Sequence, residues 1–177
     1  MQFKLSDSEI GKCYRFAYHV TKQTDKYYKR RNEYASTEKL ISDNFIAKLS
    51  ELYVFYFLSS KDYVCSYPDF RINENNTERR IKYSNDIDLL VFKNEKQLNI
   101  HIKCVRFDSP VKDSWLVQKN NSIVESPKEN DFFALCVFHS PEKIEVKKII
   151  KANKIKWKKT KMKLDTKRAC YLNDLEV

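Results

Sequence analysis

At 177 residues, 42% hydrophobic and 14% aromatic, the chain suits one domain around a single core and is too apolar to be disordered. Its only glycine, Gly11, excludes glycine-dependent phosphate loops and dinucleotide fingerprints, and with them a nucleotide cofactor. The formal net charge of +10 is concentrated: residues 143–168 hold twelve Lys/Arg against Glu145 and Asp165, leaving the remainder neutral in sum.

The N-terminal stretch "MQFKLSDSEIGKCYRF" has no apolar leader, and no run of eighteen apolar residues follows. Five cysteines, at 13, 65, 104, 136 and 170, are odd in number and contain no CxxC pair. They read as reduced core thiols and argue against a zinc site. A cytoplasmic, membrane-free protein is expected.

In chain order, residues 7–23 pattern as a helix capped by Ser6 or Asp7, with Ile10, Tyr14, Ala17 and Tyr18 on one face. A basic segment, "KYYKRRNEY" (26–34), follows, with Lys29, Arg30 and Arg31 at its centre and tyrosines interleaved. Ser36 then caps a longer helix to about Leu58, with Ile41, Phe45, Leu49, Leu52 and Tyr56 as its stripe. Its second half is apolar all round and should be buried on more than one side.

Short strands come next: 63–67, 86–92, 98–107, 131–138 and 143–149. There is no internal repeat and no linker. Helices first, then a mixed sheet, then a basic tail give an α/β or α+β domain spanning 1–177. Its parts are an N-terminal helical and basic region (1–35), a core (36–140) and a basic C-terminal segment (143–168).

Three ionisable residues interrupt the strand pattern: Asp88, His101 and Lys103. Strand side chains alternate faces, so His101 and Lys103 share a side, as do Asp86 and Asp88. If "KNEK" closes a hairpin with Asn94 and Glu95 at its tip, Lys93 pairs with Lys96 and Asp88 falls opposite His101. Glu51 is a fourth candidate, because its helical neighbours Ala47, Val54, Phe55 and Leu58 are apolar. A carboxylate there must be paired, protonated or bound to metal, and a salt bridge to a nearby lysine is the plainer alternative.

A helix glutamate, a hairpin aspartate and an acid-x-lysine on the second strand, in that order, resemble the PD-(D/E)xK nuclease superfamily. Glu51, Asp88 and Lys103 match its motif residues, and His101 stands where Asp or Glu is usual. The downstream "DSWLVQKNN" before an apolar strand is similar to restriction-like members in which Trp115, Gln118 and Lys119 approach the site. The resemblance spans about residues 45–140.

It implies a restriction-endonuclease-like mixed central sheet flanked by helices, and metal-dependent hydrolysis of DNA phosphodiesters by Glu51, Asp88, His101 and Lys103. Mg²⁺, with Mn²⁺ as an alternative, would be held by Asp88, Glu51 and the main-chain carbonyl of Ile102. His101 would either ligate the metal or orient the attacking water. Double-stranded DNA would meet Lys29, Arg30, Arg31, Trp115, Gln118 and Lys119, with Lys154, Lys156, Lys158 and Lys159 from the tail. Symmetric cleavage of a duplex would take a homodimer. A nuclease fold that binds DNA without cutting it is the rival expectation. For the charge alone, a lysine-rich surface serves equally well.

Overall fold

A computed structural model describes residues 3–31, 36–70, 87–110, 114–118, 121–159 and 167–175. Two helices open the chain, α1 (Asp7–Arg31) and α2 (Thr37–Ser59). Ser6 starts α1 with a capping box: its hydroxyl accepts from the Glu9 N–H at 3.3 Å, while Glu9 Oε2 accepts from the Ser6 N–H at 2.8 Å. The helix runs on to Arg31, beyond the expected end at 23 and into the basic segment. Its buried stripe is Cys13, Ala17 and Thr21, whereas Tyr14 and Tyr18 are exposed. Of the expected face, Ala17 is buried and Ile10 packs on the core, but the two tyrosines were given places that Cys13 and Thr21 take.

Ser36 caps α2 as expected, accepting from the Lys39 N–H at 3.2 Å. From Ile46 to Leu58 nearly every turn is buried. The two helices are tied by Tyr56, whose hydroxyl donates to Glu9, and by Asn44, whose amide donates to the Thr21 hydroxyl at 2.9 Å.

A five-stranded mixed sheet follows, in the order β1-β2-β3-β5-β6. Its strands are β1 (Val64–Cys65), β2 (Leu89–Lys93), β3 (Lys96–Arg106), β5 (Asp131–Ser140) and β6 (Lys143–Lys151). Between β3 and β5 lie β4 (Ser114–Gln118) and a short helix, α3 (Ser122–Glu125). β3 and β5 are parallel, and every other neighbouring pair in this sheet is antiparallel. The β2–β3 register is the one counted from the turn: Lys93 pairs with Lys96 and Leu89 with Ile100. Asn94 and Glu95 take φ of 48° and 64°, the left-handed pair that a two-residue hairpin turn requires.

A second, three-stranded sheet was not anticipated. It has the order β4-β8-β7, with β7 (Lys158–Lys159) and β8 (Lys167–Tyr171) drawn from the basic tail. The tail is therefore partly structural. The two faces of the large sheet have separate cores. Leu89, Val91, Ile100, Ile102, Ala134 and Cys136 pack against α2, while Phe133, Leu135 and Val137 pack against Trp115, Val117 and Cys170 of the small sheet. Among the described residues no helix is long and apolar enough to cross a membrane.

Candidate active site

β2 starts at Leu89 while β3 continues to Arg106, so among the described residues no strand pairs with β3 on that side beyond Ile100. Asp88 stands at this gap. Its N–H donates to the Ile100 carbonyl at 3.1 Å, one residue outside the regular pairing, which stops at Leu89 and Ile100. Its side chain turns along the strand edge, and Oδ2 accepts from the Ile102 N–H at 2.6 Å. The N–H and C=O of one strand residue point to the same side, so the Ile102 carbonyl faces this gap too.

His101 and Lys103 lie together on the face opposite α2, in register with Phe133 and Leu135. His101 is 3% exposed and Lys103 half-buried. Burial holds the imidazole below its ordinary pKa, against the opposing pull of Asp88 and Asp131, and Lys103 lowers it further. His101 is therefore neutral at pH 7.

Glu51 lies on α2, which packs on the other face of the sheet, near enough to Asp88 to feel its charge. Burial pushes its carboxyl up to about 8, and the charges of Asp88 and Asp69 raise it, although the Lys48 ammonium pulls it down. Lys48 Nζ donates to Glu51 Oε2 at 2.6 Å and to the Asp69 carbonyl at 2.9 Å, and it lies 4.4 Å from the centre of the Phe16 ring. The plainer alternative for Glu51, a lysine partner, is thus present. It coexists with the charge contact to Asp88.

The raised Glu51 carboxyl, owed chiefly to burial, has a consequence for stability. Glu51 takes up its proton near pH 8 when folded, against about 4.5 when unfolded, so between these values the folded state holds the extra proton. Without divalent metal, stability should therefore fall as pH rises from about 5 to about 8, by at most about 1.4 kcal/mol per pH unit. Urea melts in chelator should show this slope for the wild type and a shallower one for Glu51→Gln.

The other expected site residues are scattered. Trp115 is 1% exposed, and its indole N–H donates to the Cys136 carbonyl at 2.8 Å, beside the register shift between Leu135 and Cys136. It is a core residue that satisfies a carbonyl inside the sheet, and its expected contact with nucleic acid is corrected accordingly. Gln118 pairs with Lys167 in the small sheet. Lys154, Lys156, Lys158 and Lys159 are exposed along the segment entering that sheet, with Lys158 Nζ 2.7 Å from Asp174 Oδ1. For Lys29, Arg30 and Arg31 the helical backbone alone is described; Lys119 and Asp86 lie outside the described residues.

Two further residues were missed from sequence. Asp131, at the start of β5, is 5% exposed and faces His101, with Oδ1 3.7 Å from Nε2. Lys48 sits three residues before Glu51, a helical spacing that could have flagged it. Among the described residues no three His, Cys, Asp or Glu side chains stand close enough to hold a metal ion by themselves. In comparisons with protein-family models, curated proteins and solved structures, no match to this chain was found.

Proposed function

We propose that the chain is a metal-dependent DNA endonuclease that hydrolyses phosphodiester bonds beside Asp88 at the edge of β3. What supports this reading is that Asp88 lies near enough to both Glu51 and His101 to act on their charge, with Lys103 beside His101 on the same strand. The element order supports the same reading: a helix bearing Glu51, a hairpin bearing Asp88, then His101-x-Lys103.

The residues at the gap fit a hard cation in kind. Two carboxylates and the Ile102 carbonyl would hold Mg²⁺ or Mn²⁺ by oxygen, with waters completing the shell, and the positive charge would relieve the repulsion felt by Glu51. When bound, such a cation supplies Lewis-acid stabilisation of charge on the phosphate. Lys103 places an ammonium on the adjacent face, where it stabilises the negative charge that grows on the phosphate oxygens. Neutral His101 is suited to accept a hydrogen bond from the attacking water.

A binding module without catalysis is the second reading. Glu51 is already paired with Lys48, and Asp88 already accepts the Ile102 N–H. Incubation of supercoiled plasmid with Mg²⁺, Mn²⁺ or chelator separates the two. Nicked or linear product with either metal and none in chelator is expected. Binding without cleavage over a range of DNA sequences would leave the module.

Both readings share an electrostatic prediction. Exposed lysines of 154–159 should displace counterions from phosphates, so log affinity should fall linearly with log salt, by about 0.9 per phosphate neutralised. Filter binding at several salt concentrations measures the slope. Affinity that does not change with salt would make the basic segment a solubility feature.

A further inference from the structure

The buried acid beside His101 has no role in the reading above, yet it is held by a dedicated set of donors. Asp131 Oδ1 accepts from the Asn99 side-chain amide at 2.9 Å, and Oδ2 accepts from the Lys128 N–H at 2.9 Å. Asn99 is steadied in turn by Gln97, whose amide donates to Asn99 Oδ1 at 3.1 Å. Although burial raises the Asp131 carboxyl, these bonds and His101 hold it below its ordinary pKa, so it is a carboxylate at neutral pH.

Strand register explains the placement. Asn99 pairs with Asp131 and His101 with Phe133 across the parallel β3–β5 ladder, so the four side chains occupy one face as two adjacent rows. The imidazole leans on the Phe133 ring, with centroids 5.7 Å apart, which limits its rotation. Its Nε2 is buried, has no hydrogen-bond partner within range among the described residues, and faces the Asp131 carboxylate at 3.7 Å. That separation is a few tenths of an ångström beyond a hydrogen bond. It is short enough to decide the tautomer, because a lone pair on Nε2 would face a negative oxygen, whereas an N–H there is attracted to it.

We propose that Asp131 is a positioning residue that fixes His101 in the tautomer with hydrogen on Nε2, leaving Nδ1 as the acceptor of the ring. Which nitrogen carries the proton is set by the partner of the other, and a carboxylate in this position acts through the imidazole without itself being protonated. The catalytic consequence rests on the nuclease reading; the tautomer does not. For hydrolysis, Nδ1 is then the atom that accepts from the attacking water, and Asp131 stabilises the imidazolium that forms when the proton moves from water to His101.

The test is ¹⁵N NMR of histidine-labelled protein, free of metal and nucleic acid, at neutral pH. The wild type should show His101 with hydrogen on Nε2. In Asp131→Asn the carboxamide can donate to Nε2, so the ring should shift toward hydrogen on Nδ1. Single-turnover cleavage should fall by roughly 10²-fold with DNA affinity unchanged. Asp131→Glu should recover part of both effects. Asn99→Ala, which removes a support of Asp131 but leaves the carboxylate, should keep the wild-type tautomer, an outcome that a purely structural role for Asp131 would not give.

Hydrogen on Nδ1 in the wild type overturns the proposal, and that spectrum is decisive even if Asp131→Asn does not fold. So does an Asp131→Asn protein with an unchanged tautomer. A wild type that cleaves nothing, yet shows the expected pair of spectra, ends the nuclease reading and supports the positioning role.

Discussion

Replacing Asp88 with asparagine is expected to reduce Mg²⁺-dependent cleavage by roughly 10³-fold while DNA affinity and stability change little. Asparagine keeps an oxygen that accepts the Ile102 N–H, so the edge of β3 stays satisfied where it now bonds to Asp88 Oδ2. The loss is confined to one negative charge at the gap. Asp88→Ala removes the acceptor too, and leaving that N–H unpaired should cost a further 1–3 kcal/mol, roughly. Comparing the two by single-turnover cleavage, filter binding and urea melts separates ligand loss from structural damage. Wild-type rates in Asp88→Asn would remove Asp88 from the chemistry.

The second large effect concerns Glu51 and Lys48, which should respond unequally. Glu51→Ala leaves the Lys48 ammonium buried with the Asp69 carbonyl and the faces of Phe16 and Phe70. Leaving that ammonium without its carboxyl partner should cost about 2–3 kcal/mol and abolish cleavage. Lys48→Met keeps an apolar chain against the two rings. It also leaves a carboxyl that, with its pKa at about 8, is already neutral at pH 7. Its cost should be the smaller of the two. It also frees Glu51 from its competing cation, so metal affinity should hold or rise. Urea unfolding at pH 7 with chelator ranks the pair, and a larger loss for Lys48→Met than for Glu51→Ala would contradict the picture.

What could be read from the sequence followed from local geometry. The hairpin register needed only the length of the "KNEK" turn and a period of two, and both are properties of adjacent residues. The cap at Ser36 and the all-round burial of α2 were legible for the same reason. Asp131 was not, because it meets His101 across a parallel pair joined by a long crossover, and no turn exists from which to count that register.

The small sheet was hidden by its composition. Lys158–Lys159 and Lys167–Tyr171 carry so much charge that they read as solvated tail, yet Ala169 and Cys170 are buried against the core. Trp115 shows the converse error. Its likeness to a site residue came from the segment that precedes an apolar strand, whereas its indole is committed to a carbonyl inside the large sheet. For Glu51, the apolar neighbours correctly signalled a buried carboxylate, but the partner that burial demands, Lys48, was one helical turn away on the same helix.

The central claim is that Asp88 and Glu51 form one seat for a divalent cation, and calorimetric titration of Mn²⁺ into the protein without nucleic acid tests it most directly. One site is expected in the wild type, weakened about tenfold or more by either Asp88→Asn or Glu51→Gln and retained in Lys103→Ala, whose ammonium is not a ligand. Mn²⁺ binding of equal strength in all four proteins, or in none of them, would contradict the account.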